Sequence, residues 1–529
     1  MKHAPGLGYW VRVVGLPLLL VLLTATLLGS HYETNDDVSI TLLLRGRTAA
    51  APVTNLHLYF HGWAAVLAGL YQLAPAVPWY GLVLYGLLTV ALVLLTAVLE
   101  ALLRPHVPPG PRAALLAGFL LVAALEHAQW FNYVRVPLLL GGAAVLWTAC
   151  HYAGPRSRPA ALLGLLLFVA AWAIRPSAAV LGAAVVAPAA WWLARPGAWR
   201  VVAGAGATAL LLGLLVHVTR SPEAARYRRL DVLKSNVLDY GLYRPAHCAP
   251  AAPAVRAAVA QWAFGDSTLV NEAQLACAYS FQLRDVPPMA LAKLTVLLPQ
   301  LARDYAALGA LNLWLLVSSG RASRRRQWLY VLGLGVLLLA LGGLLKLPPR
   351  LAGPLLMLGT VGHLAAAAPA GAQGASRRSR QVLAGLLLVG GVYTGYKAWH
   401  RRQLLRATEY AHAHALQQVQ RRAAGRVVVG VRLEECFKSL SPFRQYVAAG
   451  GGPWLLLTGW PTLDPSQPRL RQLLTGTRSQ ALALRRLQQH PGRYYLAWSP
   501  YMSAAERQRF RREWLGKSRP LPQNPPSRE

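Results

Sequence analysis

Long apolar runs broken by very few charges constrain this chain more than any other feature. Residues 79–103 hold one charged side chain, Glu100. A helix rises about 1.5 Å per residue, so about 20 residues cross a hydrocarbon core of about 30 Å. Runs of this kind recur at 10–29, 79–103, 112–129, 132–150, 159–174, 177–194, 199–218, 304–319, 327–345, 350–368 and 381–398. The sequence therefore predicts an α-helical polytopic membrane protein with about eleven transmembrane helices. The first run is too long for the core of a signal peptide and no A-x-A site follows it, so it is read as retained.

Charge sets the orientation. The chain of 529 residues has 54 Lys and Arg against 19 Asp and Glu, a net charge of +35. Such an excess first suggests nucleic acid. Here the arginines fall mostly in short loops between apolar runs, at 104–112, 156–158, 195–200, 321–326 and 377–380. The positive-inside rule accounts for them, and no nucleic-acid partner is expected. All five loops share the cytoplasmic side only if 55–74 does not cross. That segment is predicted to be a re-entrant or interfacial helix, and 38–47 a short helix in the interface. With Lys2 and Arg12 at the start, the N-terminus is read as cytoplasmic.

The expected transmembrane domain is 1–398. A first outer loop spans 30–78. A second outer loop spans 219–303, and its last part, 289–302, is read as an interfacial helix. A loop this long is usually functional. Cys248 and Cys277 both lie in it, and a disulfide would fit if it faces an oxidising compartment. No cysteine spacing resembles a zinc site.

Residues 399–529 differ in kind. A helical stretch, 401–424, precedes short apolar segments at 427–431, 454–458 and 494–498. Helical patterns at 470–489 and 503–515 alternate with them. This pattern predicts a small extracytoplasmic α/β domain with a mostly parallel sheet and a disordered end, 520–529. The run Gly450-Gly451-Gly452 lacks the Lys-Ser/Thr of a phosphate loop and reads as a turn.

Candidate chemistry gathers at the outer ends of the apolar runs. The stretch Glu33-Thr34-Asn35-Asp36-Asp37 packs three acidic residues into a basic chain. A carboxylate there can serve as general base or cation ligand. Glu126, His127, Arg135 and Arg175 are expected at the same face. Ionisable groups near or inside membrane segments are functional candidates. Arginine binds phosphate oxygens through a bidentate fork, and each arginine can equally snorkel to the interface. His57 and His61, four apart, would share one face of a helix over 55–74, as a metal pair or as ordinary hydrogen-bonding groups. The second outer loop, at Tyr227–Asp231 and Asn236–Tyr240, would cover the cavity.

This layout resembles the GT-C superfamily of membrane glycosyltransferases, which use polyprenyl-phosphate-linked sugars. The resemblance rests on a first span followed by Glu33-Thr34-Asn35-Asp36-Asp37, helices in that first loop, a seven-span module, the Trp79-Tyr80 start of the second span, and an outer C-terminal domain. The loop around His57 departs from the family in lacking His-Pro-Pro or Lys-Pro-Pro. The resemblance implies transfer of a sugar from a polyprenyl-phosphate donor to a lipid or glycan acceptor on the periplasmic face of a bacterial inner membrane, in cell-surface glycan modification. It implies that Asp36 or Asp37 acts as catalytic base or metal ligand, with Mg or Mn as the divalent cation if one is used. It maps donor-phosphate binding onto Arg135 and Arg175, and Glu33, Asn35, His57, His61, Glu126 and His127 would line the cavity. A lipid-linked oligosaccharide transporter or ligase-like assembly protein would share the basic outer cavity without needing the aspartates.

Overall fold

The computed structural model describes residues 6–152, 157–194, 197–246, 252–318, 321–367, 377–448 and 450–515. Arg156, Arg195, Cys248 and the expected disordered end 520–529 lie outside them.

Among the described residues, each segment expected to cross contains a helix. Among the described residues, seven helices are long and apolar enough to do so: Leu7–Leu28, Trp79–Leu103, Pro109–Gln129, Pro176–Ala194, Trp199–Val218, Ser323–Leu344 and Gln381–Ala423. This is fewer than the eleven expected. The helices Arg135–His151, Ser157–Ile174, Ala306–Ser318 and Pro349–Ala367 fall short in length or apolar character and pack among the others. Arg135–His151 is buried almost along its whole length. Small residues bring it against Pro176–Ala194. A Cβ at Gly182 would stand 2.1 Å from the Leu138 carbonyl oxygen, so only glycine permits this approach.

Gly29, at φ 81°, ends the first helix and turns the chain into the first loop. The short strand β1 (His31–Tyr32) pairs in parallel with β2 (Trp130–Phe131), which follows Pro109–Gln129. The acidic stretch is thereby tied to the loop leading to Arg135. The helix Asp36–Leu44 follows. It was expected to lie in the interface with one face in lipid, and instead seven of its residues from Asp37 to Leu44 are buried. The cause is distant chain packed over it. Tyr32 donates its backbone N–H to the Leu440 carbonyl at 2.9 Å, and Ser439 donates to the Tyr32 carbonyl at 3.0 Å.

Residues 55–62 are not helical, and His57 and Phe60 adopt positive φ of 62° and 56°. The expected helix begins only at Trp63 and runs 11 residues to Leu73. At about 1.5 Å per residue it reaches about 16 Å, too short to cross.

The segment expected as the second outer loop holds helices Pro222–Leu238, Ala252–Ala260 and Glu272–Ala278 and an antiparallel pair, β3 (Tyr243–Pro245) and β4 (Tyr279–Phe281). Leu230, Val255, Val259, Phe264 and Leu275 form its core, with Leu463 and Trp514 packed against it. Cys277 is disulfide-bonded, whereas Cys150 and Cys436 are free. The interfacial helix expected at 289–302 is part of the helix Val286–Asp304.

The C-terminal part contains the expected strands β5 (Val427–Val431), β6 (Trp454–Leu456) and β7 (Tyr494–Trp498). They form a parallel sheet in the order β6-β5-β7. The helical pattern expected at 470–489 is two helices, Ser466–Thr475 and Gln480–Gln489, separated by Gly476 at φ 72°, and Ala504–Phe510 lies in the one expected at 503–515. No break marks the expected boundary at 398/399, because one helix, Arg377–Ala423, runs through it. Val428, Leu433, Trp454, Leu456 and Ala497 belong to the same hydrophobic core as the long apolar helices.

Candidate functional site at one end of the helical bundle

The two aspartates of the acidic stretch occupy different environments. Asp37 is fully buried. Its carboxylate accepts from the Tyr80 hydroxyl, the Asn132 Nδ2 and the Tyr133 backbone N–H, each at 3.0 Å. It joins three separate pieces of chain. Burial, reinforced by the neighbouring Asp36, raises its pKa well above the usual carboxylate range, and the Tyr80 and Tyr133 hydrogen bonds oppose that rise. Asp36 opens the helix Asp36–Leu44, where the N-terminal dipole favours a negative charge. It is half-buried, and the Thr34 hydroxyl donates to its Oδ2 at 3.1 Å. Of the pair, only Asp36 has room to meet a substrate.

Glu33 faces the other way. Its side chain is 4% exposed and lies 2.8 Å from Arg135 and 3.4 Å from Arg350. Arg135 is fully buried and also reaches Glu126 at 3.4 Å and the His127 Nδ1 at 2.7 Å. Arg401 meets Glu126 from the helix Arg377–Ala423 at 3.2 Å. This Glu33–Arg135–Glu126 network neutralises the guanidinium expected to bind phosphate. A phosphate reaching Arg135 would have to displace two carboxylates in a buried setting. Asn35 precedes the helix as its N-cap residue, and its carbonyl accepts from the Ser39 N–H and hydroxyl at 3.1 and 3.0 Å.

Arg175 is half-buried at the junction of Ser157–Ile174 and Pro176–Ala194. It donates to the Tyr133 hydroxyl, and its guanidinium carbon stands 5.6 Å from that ring's centre. Tyr133 therefore joins the acidic stretch, through Asp37, to Arg175. Tyr59 continues the cluster, 5.8 Å from Tyr133 between ring centres.

His57 and His61 do not share a helix face, because residues 55–62 are irregular. The His57 ring packs edge-on to Tyr227 at 6.4 Å and the His61 ring lies 5.5 Å from Trp172. Burial lowers the pKa of both. Among the described residues no group of three His, Cys, Asp or Glu stands together to hold a metal ion. Both Asp37 oxygens already accept hydrogen bonds, Oδ1 from Tyr80 and Tyr133 and Oδ2 from Asn132.

No family model, no curated protein and no solved structure matches this chain.

The structure brings Glu33, Glu126, His127 and Arg135 into one network, and ties Asp37 through Tyr133 to Arg175. Sequence reading missed Asn132, Tyr133 and Arg350, and named Tyr80 only at the start of the second span. For Asn132 and Tyr133 a signal existed: a polar Asn-Tyr pair beside Arg135, between two apolar runs.

Proposed function

We propose that the chain is an inverting membrane glycosyltransferase that moves a sugar from a polyprenyl-phosphate donor to an acceptor hydroxyl. The observation that carries this reading is that half-buried cations meet the acidic stretch at one end of an apolar helical bundle: Arg175 holds the hydroxyl of Tyr133, whose backbone N–H reaches Asp37, and Arg350 lies 3.4 Å from Glu33, with half-buried Asp36 between these two carboxylates in sequence. Arg175 and Arg350 bind the donor phosphate and stabilise the charge that grows on it as the sugar departs. Asp36 takes the proton of the acceptor hydroxyl. That oxygen attacks the anomeric carbon, the bond from that carbon to the phosphate oxygen breaks, and polyprenyl phosphate leaves with the electron pair. Attack opposite the leaving group inverts the configuration. Asp37 and Arg135, both buried, position the acidic stretch and do not touch the substrate.

In this reading the long apolar helices cross a bacterial inner membrane, with the N-terminus cytoplasmic and residues 399–529 periplasmic. The bonded Cys277 supports placing the second outer loop in an oxidising compartment. The test is transfer of radiolabelled sugar from polyprenyl-phosphate donors in membranes holding wild type, Asp36→Asn or Arg175→Gln. Loss of a general base costs typically 10²–10⁴-fold, so Asp36→Asn is expected to lose at least about a hundredfold of the transfer. Undiminished transfer in Asp36→Asn would remove the acidic stretch from the chemistry.

A further inference from the structure

A second group of polar side chains stands next to this cluster, where the C-terminal part meets the first loop. The turn Trp460–Leu463 follows β6, and its first ring lies 6.0 Å from Tyr59, edge to face. Asp464 follows the turn and is 2% exposed. Its Oδ1 accepts from the Ser466 N–H at 2.9 Å, but its Oδ2 is buried without a hydrogen-bond partner. The Trp460 Nε1 and the Thr48 Oγ1 are buried and unpartnered as well. Buried polar groups in native proteins are nearly always paired, and an unpaired carboxylate oxygen is the most costly kind to leave. Three such atoms within one junction point to a ligand that supplies both donors and acceptors.

The surroundings say which ligand. Asp464 acts electrostatically on His57 and on Tyr227, which packs against the His57 ring. The backbone at His57 and Phe60 is held at positive φ, a conformation unfavourable for both residues that persists only where the surrounding structure enforces it, often at ligand sites. Aromatic faces, a carboxylate acceptor, an indole donor and hydroxyls together match a sugar ring: apolar C–H faces stack on aromatics while hydroxyls donate to a carboxylate. The helix Pro222–Leu238 covers this side through Tyr227. Glu223, in its first turn, meets Arg469 at 3.7 Å through an exposed ion pair, a weak latch.

We infer that Trp460, Asp464, Tyr59 and His57 form a saccharide-binding subsite beside Tyr133 that the C-terminal part contributes. This rests on the glycosyltransferase reading for its role but not for its existence. Tyr59 bridges the two places, 5.8 Å from Tyr133 and 6.0 Å from Trp460. A sugar seated on Asp464 lies next to the Asp36–Arg175 cluster, which gives the C-terminal part a direct share in the reaction.

The experiment uses the full-length protein in detergent micelles and reads saturation-transfer NMR from a panel of methyl glycosides. Wild type and Asp36→Asn are expected to transfer saturation to at least one glycoside. Asp464→Asn and Trp460→Leu are expected to lose the signal about tenfold, and Trp460→Phe, which keeps a stacking face, to keep most of it. Melting curves close to wild type identify variants that fold. If no glycoside gives a signal with wild type, or if folded Asp464→Asn and Trp460→Leu both keep it, the subsite is refuted. Binding that survives while wild type transfers no sugar would refute the enzyme reading and leave the subsite standing. In the transfer assay, a KM raised for the donor assigns the subsite to the donor sugar, and a KM raised for the acceptor assigns it to the acceptor.

Discussion

Asp37→Ala separates a structural aspartate from a chemical one. The substitution removes an acceptor that serves three buried donors: the Tyr80 hydroxyl, the Asn132 amide and the Tyr133 backbone N–H, each at 3.0 Å. Leaving a buried donor unpaired costs about 1–3 kcal/mol. The three share one carboxylate, so their costs do not add fully, and a loss on the order of 3–5 kcal/mol is expected. Asp36→Ala removes a half-buried carboxylate with one hydroxyl partner, and a cost within about 1 kcal/mol is expected. The assay is intrinsic-fluorescence denaturation of both variants in the same micelles at matched heating rates, run beside sugar transfer. The expected pattern is crossed: Asp37→Ala melts far below wild type, whereas Asp36→Ala melts normally and transfers no sugar. An Asp37→Ala variant as stable as wild type would refute the three-donor anchor. A destabilised Asp36→Ala would refute the division of labour between the two residues.

Arg135→Gln leaves Glu33 and Glu126 buried with less compensation, and a loss of about 3–5 kcal/mol on the same denaturation assay is expected. Glu434, 6% exposed behind β5, has its pKa raised by burial to about 7, from an ordinary value of 4.5. Its folded form holds the proton more tightly, so its contribution is complete below about pH 4.5 and is lost as pH rises through 7. Melting curves at pH 4.5–7.5 should therefore flatten in Glu434→Gln relative to wild type. A cysteine at exposed Ser267 should react with an impermeant maleimide on intact cells, and one at exposed Arg104 only after permeabilisation. The reverse pattern would overturn the orientation.

The helices were legible because a membrane-length apolar run is a local signal. Residues 79–103 specify their helix whatever surrounds them, and burial adds only which face packs. The parallel sheet was legible for the same reason. The apolar segments around Val427, Trp454 and Tyr494 are separated by helical patterns, and such alternation favours parallel pairing. Polar partnerships are not local. Glu33 finds Arg135 across 102 residues, and His31 finds Glu409 across 378. No periodicity encodes such pairs. The sequence reading therefore gave Arg135 a free guanidinium, treated Asp36 and Asp37 as equivalent, and placed His57 and His61 on a helix that residues 55–62 do not form.

The sequence by itself determined that this chain is a bundle of apolar helices with a small parallel sheet after it, because hydrophobic length and alternation act residue by residue. Only the tertiary structure decided which carboxylate is buried, which arginine is neutralised, and that the turn after β6 reaches the first loop. Those outcomes depend on desolvation and on hydrogen bonds between segments that meet only once the helices have packed.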